Sequence, residues 1–149
     1  METETAPERL RALPSWLLAQ AALEAARTVS EHLSAVGAHR SHYAVLAALE
    51  EFGPASQAAL GRRCGIDRSD MVALLDTLAA DGDVERRPDP SDRRRNIVTL
   101  TPRGARRLDE LGAALADAQA ALLSPLPGTD REVLVSLLSA LVTGQGPRR

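Results

Sequence analysis

Residues 56–101 read SQAALGRRCGIDRSDMVALLDTLAADGDVERRPDPSDRRRNIVTLT, and this stretch decides the fold of the chain. Ser56 is a favourable N-cap for a short helix over residues 57–63, and Gly65 supplies the turn that follows it. Asp67 caps a second helix, with Asp70 three residues later in a capping-box position. Two helices joined by a tight glycine turn predict a helix-turn-helix.

A basic hairpin is predicted directly after the second helix. Val84 to Arg87 form the expected first strand, and residues 88–92 (PDPSD) have the composition of a loop. The return strand alternates, so that Val98 and Leu100 face inward. Three consecutive arginines, residues 93–95, are expected at the loop tip. The hairpin therefore predicts a positively charged wing beside the helix-turn-helix.

The composition favours helices packed on helices. Hydrophobic residues make up 44% of the 149 residues, but aromatic residues only 2%. The core must therefore consist of Leu, Ala and Val, which favours a helical arrangement over a β-sandwich. A chain of this length suffices for one small domain with additional dimerising helices.

The positive charge is concentrated in the middle of the chain. The net charge is -2, and all 18 basic residues are arginines, so the chain as a whole is not a polycationic binder. Residues 62–107 nevertheless contain 11 arginines against 8 carboxylates, whereas both flanks have more carboxylates than arginines. A basic centre between acidic flanks indicates one face that meets an anion.

Amphipathic helices are predicted on both sides of this centre. Apolar residues recur at spacings of three and four from Leu18 to Val36, from Leu108 to Leu122 and from Val133 to Leu141. These stripes exceed what such a small core covers, so pairing with a second copy is expected. The predicted fold is mainly α with a small β wing. Residues 1–38 form a leader and dimerisation helix, residues 39–101 the winged helix-turn-helix, and residues 102–149 dimerisation helices and a tail.

The sequence also limits location and covalent chemistry. A single cysteine excludes an internal disulfide framework. The first 13 residues lack the apolar core of a signal peptide, and no apolar run reaches membrane-spanning length. We therefore expect a soluble cytoplasmic protein that makes no membrane contact.

The wing carries a resemblance to a known family. Asp92-Arg93-Arg94, then Val98-Thr99-Leu100-Thr101 and Pro102-Arg103-Gly104, resemble the wing signature of the MarR family of bacterial transcription regulators. Residues 60–69 (LGRRCGIDRS) and the order of six helices are similar too, and the resemblance covers about residues 15–142. It implies a winged-helix homodimer whose recognition helix, residues 68–80, enters a major groove while the wing reaches the adjacent minor groove. Asp92 would orient Arg94.

By this resemblance the chain would be a sequence-specific DNA-binding regulator, a repressor on a palindromic operator, with an affinity that a small molecule modulates. The candidate DNA contacts are Ser56, Gln57, Arg62, Arg68, Ser69, Asp70, Arg86, Arg93, Arg94 and Arg95. For Ser56 and Gln57, helix capping alone is an equal alternative to phosphate binding. Arg62 could merely compensate the helix dipole, and residues 93–95 could be a solvated charge run.

The recognition helix departs from the family pattern. Asp70, Val72 and Ala73 occupy positions where family members often have small polar or basic residues. Asp70 would lie near phosphates unless it caps the helix or accepts from a cytosine amine. Direct base readout would then be limited, with the wing and DNA shape contributing more.

Two other classes of function are weighed against a regulator. The uncharged Val72 and Ala73 would suit a winged-helix dimer that serves as a protein-interaction adaptor without specific DNA binding, although the wing arginines argue against it. An enzyme is not predicted, because the sequence has no phosphate loop, no zinc-type motif and no nucleophile with an associated base.

Possible effector and metal sites rest on residue type alone. Trp16, Arg27, His39, His42 and Tyr43 could line a cleft for an aromatic or phenolic effector, although Trp16 could equally belong to a dimer core. His39 and His42 lack further ligands for a metal, so neither a metal site nor a cofactor is predicted. Cys64 could be a redox sensor activated by neighbouring arginines, but a small buried apolar residue is the preferred interpretation.

Overall fold

A computed structural model describes residues 6–144. Its elements in chain order are α1 (Glu8–Arg11), α2 (Pro14–Ser34), α3 (Arg40–Phe52), β1 (Ala55–Ser56), α4 (Gln57–Cys64), α5 (Arg68–Ala80), β2 (Val84–Asp89), β3 (Asp92–Leu100), α6 (Pro102–Leu122) and α7 (Gly128–Gly144). Within the expected leader, residues 8–11 form the short helix α1, which was not predicted, and α2 begins at Pro14. Residues 1–5 of that leader and 145–149 of the expected tail lie outside the described residues.

The helix-turn-helix is formed by the predicted local signals. The Ser56 side chain accepts a hydrogen bond from the Ala59 N–H, 3.1 Å away, and so caps α4. Gly65 ends α4 with φ of +66°, a left-handed conformation that glycine adopts without steric cost. The Asp67 carboxylate accepts from the Asp70 N–H at 2.9 Å and begins α5. These caps set the short turn between α4 and α5.

The strands of the wing are longer than the sequence predicted. The three strands form an antiparallel sheet in the order β1-β3-β2, and the predicted loop over residues 88–92 is reduced to a two-residue turn at Pro90 and Ser91. Pro88 is accommodated because β2 is an edge strand, where a missing N–H costs little. Arg93, Arg94 and Arg95 therefore lie on β3 and not in a loop. The two-residue strand β1 was not predicted from the sequence.

One aliphatic core holds α5 in place. The buried face of α5 packs into a cluster that also receives Val98 of β3, Leu33 of α2 and side chains from α3 and α6. The four buried residues of α5 are Met71, Leu74, Leu75 and Leu78, as the periodicity predicted. Tight burial of this face leaves the opposite face of α5 exposed.

The junction between α5 and α6 is tightly packed. The Thr101 side chain caps α6 by accepting from the Gly104 N–H, and its hydroxyl donates to the Gly82 carbonyl at 2.6 Å. The Thr101 N–H donates to the Asp83 carbonyl. A Cβ on Gly104 would lie 2.0 Å from that same carbonyl oxygen. Glycine is therefore required where α6 passes over the turn that ends α5.

Apolar side chains remain exposed on α2 and α7. None of the described residues of α7 is buried, and Val142 is 77% exposed. The exposed large apolar residues of these two helices are Leu17, Leu18, Leu23, Val133, Val135, Leu137, Leu138, Leu141 and Val142. The expected excess of apolar helix surface is thus present. Among the described residues, no helix is both long and apolar enough to cross a membrane.

Replacing Gly104 with alanine should destabilise the fold. The new methyl group would collide with the Asp83 backbone, and overpacking of this kind costs about 1–3 kcal/mol. Gly112→Ala in the same helix is the matched control, because a methyl group there would meet no atom of another element within 4 Å. That control should gain about 0.5–1 kcal/mol from helix propensity. Urea unfolding at one fixed protein concentration measures both, and equal stability of Gly104→Ala and the parent would contradict the close packing.

Candidate nucleic-acid interface

A basic groove lies between the helix-turn-helix and the wing. It encloses about 660 Å³ and is bounded by α4, the first turn of α5 and β3. Six predicted DNA contacts line it: Ser56, Gln57, Arg62, Arg68, Arg94 and Arg95. Its remaining lining residues are Ala58, Gly61, Ile66, Met71 and Asn96. The only charged side chains in this lining are arginines, so the groove is complementary to an anion.

Two carboxylates arrange the arginines of the wing. The Asp92 carboxylate accepts from the Arg94 backbone N–H at 3.1 Å and from its guanidinium through Nε and Nη2 at 3.1 and 3.3 Å. These bonds from Arg94 lower the pKa of Asp92. Arg95 lies 3.3 Å from the Asp89 carboxylate. The contact between Asp92 and Arg94 that the resemblance implied is therefore present, while 91% of the Arg94 side chain stays exposed.

The hairpin turn itself is held by Asp89. One oxygen of its carboxylate accepts from the Ser91 N–H at 2.9 Å and from the Ser91 hydroxyl at 2.8 Å. These two bonds lower the pKa of Asp89, so the carboxylate is charged at neutral pH. The negative charge of Asp89 then holds Arg95 close to the turn.

Arg86 occupies a different environment from the one predicted. Its guanidinium lies 2.7 Å from the Asp76 carboxylate of α5, and the Arg86 side chain is 27% exposed. The next residue, Arg87, points outward and pairs with Glu85. Arg93 is exposed on β3 but does not line the groove. Arg86 thus connects the wing to α5, and a direct DNA contact by Arg86 remains a prediction.

The beginning of α5 is organised by Asp67. One oxygen of its carboxylate accepts from the Ser69 hydroxyl at 3.0 Å and from the Asp70 N–H at 2.9 Å. These bonds lower the pKa of Asp67. Ser69 and Asp70 are both exposed, but neither lines the basic groove.

The predicted effector residues are only partly brought together. The His39 and His42 rings pack edge to face with centroids 3.9 Å apart, and the His39 backbone N–H donates to His42 Nδ1. Both line a cleft of about 640 Å³ between the start of α3 and the side of α5. Burial, followed by the charge of His39, lowers the pKa of His42.

The other three predicted effector residues do not line this cleft. Tyr43 is partly buried and packs against the core, and Trp16 is partly exposed on α2. Arg27 is 63% exposed and pairs with Glu24 and Glu31 of its own helix. These contacts raise the pKa of Arg27, with the Glu24 hydrogen bond as the largest cause. Only the two histidines of the predicted set therefore share one cavity.

Cys64 is partly buried at the end of α4. Its thiol donates to the Ala44 carbonyl at 3.7 Å, and burial raises its pKa against a smaller opposing effect of Arg63. A raised pKa reduces the thiolate fraction and hence the reactivity. Over residues 6–144, no group of three or more His, Cys, Asp or Glu side chains is placed to hold a metal ion.

Two residues of this region were missed by the sequence analysis. Asn96 lines the groove, and it lies on β3 two residues after Arg94, so strand alternation places both on one face. Asp76 is the partner of Arg86. If the predicted return strand had begun at Asp92, strand alternation would have placed Asn96 on the same face as Arg94. No local sequence pattern indicates that Asp76 pairs with Arg86.

This architecture is that of a winged helix-turn-helix protein, and comparisons with known proteins specify the family. The MarR family model matches residues 37–95. The HTH-type transcriptional repressor NicR of Pseudomonas putida is 31% identical over 100 residues, which are 67% of this chain but only 63% of NicR. The alignment thus spans less than two thirds of that relative.

Two solved structures are similar over nearly the whole chain. The transcriptional repressor CouR, bound to a 23-mer DNA duplex, is 27% identical with a TM-score of 0.80, and the match covers 94% of this chain and 99% of CouR. PcaV from Streptomyces coelicolor, in complex with its natural ligand, is 27% identical with a TM-score of 0.72, covering 93% and 98%. The chain belongs to the MarR family, which is a family of transcriptional regulators.

The pKa of Asp92 should depend on Arg94. Removing the guanidinium by Arg94→Ala takes away the largest cause of the lowered pKa, so the Asp92 pKa should rise toward its ordinary value. Because the folded-state pKa is depressed, this contact stabilises the wing above the ordinary carboxyl pKa and is lost as the pH falls through the depressed value. Carboxyl carbon chemical shifts recorded by NMR across a pH titration measure the change.

Asp89 is the internal control for this titration. Its lowered pKa arises mainly from Ser91, so it should change little in Arg94→Ala. An unchanged Asp92 pKa in Arg94→Ala would contradict the side-chain pairing of Asp92 with Arg94.

Proposed function

We propose that this chain is a sequence-specific DNA-binding transcriptional regulator that acts as a repressor. The observation that carries this proposal is the groove between α4, α5 and β3, whose only charged lining residues are arginines. It lies beside the exposed face of a well-anchored helix, α5. Such a pairing of a basic groove with a projecting helix suits a DNA duplex, because phosphate contacts position the protein while the helix meets base edges.

The proposed contacts divide between the two parts of this surface. α5 enters the major groove, whose width admits a helix. Arg62, Arg68 and the N-terminus of α4 at Ser56 and Gln57 bind phosphates along its edge. Arg94, projecting from β3, reaches the adjacent minor groove or its phosphates. The similar repressor CouR has been solved bound to a 23-mer DNA duplex, which supports DNA binding by this chain.

We further propose a homodimer held by the helices outside residues 39–101. The exposed leucines and valines of α2 and α7 support it, because burying apolar surface contributes about 25 cal/mol per Å². A two-fold dimer presents two copies of α5, and the matching operator is palindromic. A regulator of this kind acts on DNA without catalysing a reaction, and we place it in the cytoplasm, where bacterial DNA is found.

A small aromatic or phenolic effector is proposed to modulate the affinity. The cleft lined by His39 and His42 is supporting evidence, because it borders α5 directly, so that a molecule lodged there would press on the recognition helix. The similar protein PcaV has been solved with its natural ligand. Adding phenols and aromatic carboxylates to a DNA-binding titration would reveal such an effector as a loss of affinity, and no change across the panel would limit the function to DNA binding.

Arg94→Ala should weaken DNA binding. Fluorescence anisotropy on a duplex from the protein's own promoter region, against scrambled competitor, measures the affinity. The loss of a charged hydrogen bond of about 1.5 kcal/mol corresponds to about a tenfold weaker affinity. The slope of log K against log salt should fall by about one, because one fewer counterion is released.

Arg9→Ala is the matched control, since Arg9 is exposed on α1 and does not line the groove. Its affinity and salt slope should equal those of the parent. Unchanged DNA affinity of Arg94→Ala would contradict the proposed contact between the wing and DNA. If the parent bound both the promoter and selected random DNA only weakly, without discriminating between sequences, the adaptor alternative would replace the regulator.

Leu137→Asp should weaken dimerisation. Leu137 is 60% exposed on α7, and a carboxylate there would be desolvated on pairing without a partner. Ser139→Asp on the same helix adds the same charge two residues away, on the side of the helix nearly opposite Leu137. Sedimentation equilibrium should show a dimer for the parent and Ser139→Asp, and dissociation for Leu137→Asp. A monomeric parent would contradict the proposed assembly.

A further inference from the structure

The exposed face of α5 is defined by four residues. Ser69, Val72, Ala73 and Asp76 follow the i, i+3, i+4, i+7 spacing that places side chains on one side of a helix, and all four are exposed. Val72 is 38% exposed although it is a large apolar residue. The opposite face is held in the core, so the orientation of this face is set by packing.

Three polar side chains on or beside this face, those of Ser69, Asp76 and Thr77, are already engaged within the protein. Ser69 donates its hydroxyl to Asp67, and Thr77 donates its hydroxyl to the Ala73 carbonyl. The Asp76 carboxylate is paired with Arg86. Donation from either hydroxyl to a base would require its internal bond to be broken, and the charge of Asp76 is already offset by Arg86. The groups on this face without such bonds are the methyl groups of Val72 and Ala73.

Methyl groups at a helix surface have one complementary feature in the major groove. Thymine alone presents its C5-methyl group there, and apolar side chains contact it. We propose that Val72 and Ala73 are specificity-determining residues, which recognise thymine methyl groups in each operator half-site. This inference rests on the proposed function, because it assigns the base preference of the same surface.

The charges around Val72 are compatible with close approach to DNA. Arg68 lies one turn earlier on the same side of α5 and lines the basic groove. Asp76 lies one turn later, and Arg86, only 2.7 Å from it, offsets its negative charge. The remaining carboxylate, Asp70, lies one turn before Ala73, and both residues also line the cleft with His39 and His42.

Replacement of thymine by deoxyuridine tests this proposal because it removes only the C5-methyl group. A duplex is first selected from random-sequence DNA by the purified full-length protein. It is then resynthesised with single deoxyuridine substitutions through the protected half-site. At the contacted positions, each substitution should weaken binding about fourfold, the effect of one buried methyl group. Substitutions outside the protected region should have no effect.

A variant links this effect to Val72. Val72→Ala shortens an exposed side chain, so the fold is retained, and the variant should bind the thymine duplex less tightly. At one position per half-site it should no longer distinguish thymine from deoxyuridine. Arg94→Ala is the control, because a lost phosphate or minor-groove contact should weaken binding to both duplexes equally.

The outcomes separate this inference from the proposed function. Equal affinity for thymine and deoxyuridine at every position, with tight selective binding, would overturn the methyl readout and leave the regulator intact. Full thymine discrimination by Val72→Ala at every position would overturn the role of Val72. Failure to select any duplex would overturn the proposed function itself.

Discussion

The close approach of α6 to the turn after α5 is the constraint on which the other parts of the structure depend. At Gly104 the helix passes so near the Asp83 carbonyl that no side chain fits. Thr101 adds its cap and two hydrogen bonds to the same turn. Through this junction α5 is joined to the long helix α6. A displacement of α6 would therefore be transmitted to α5 through backbone contacts.

The electrostatics of the wing show how a chain with a net charge of -2 presents a positive surface. Asp89 and Asp92 pair with Arg95 and Arg94, yet neither carboxylate lines the groove that the two arginines line. Each carboxylate thus orients a guanidinium from outside the groove, and the arginine still lines the groove. The two carboxylates reduce the local positive charge. Because they also hold the arginine side chains in place before binding, the conformational entropy lost on binding is smaller.

Helix α5 and its neighbours show how much of the candidate site could be predicted from the sequence. The caps, the glycine turn and the four buried residues of α5 were predicted because each depends on neighbours within a few positions. β1 was not predicted, since a two-residue strand exists only through its pairing with β3. The extent of β2 was underestimated because Pro88 signals a loop, although an edge strand tolerates it. The pairing of Arg86 with Asp76 was not predicted, because Asp76 lies on another element.

The sequence by itself determined the helix-turn-helix, the basic wing and the surplus of apolar helix surface, because caps, turns and periodicity act over one or two turns of the chain. Only the tertiary structure decided which arginines share a groove, which one is paired with α5, and that Asn96 lies beside Arg94 at the groove. It also decided that the predicted effector residues separate, with His39 and His42 in a cleft and Arg27 on an exposed helix face. The physical reason is that such contacts join residues distant in sequence, and packing of the whole core sets their positions.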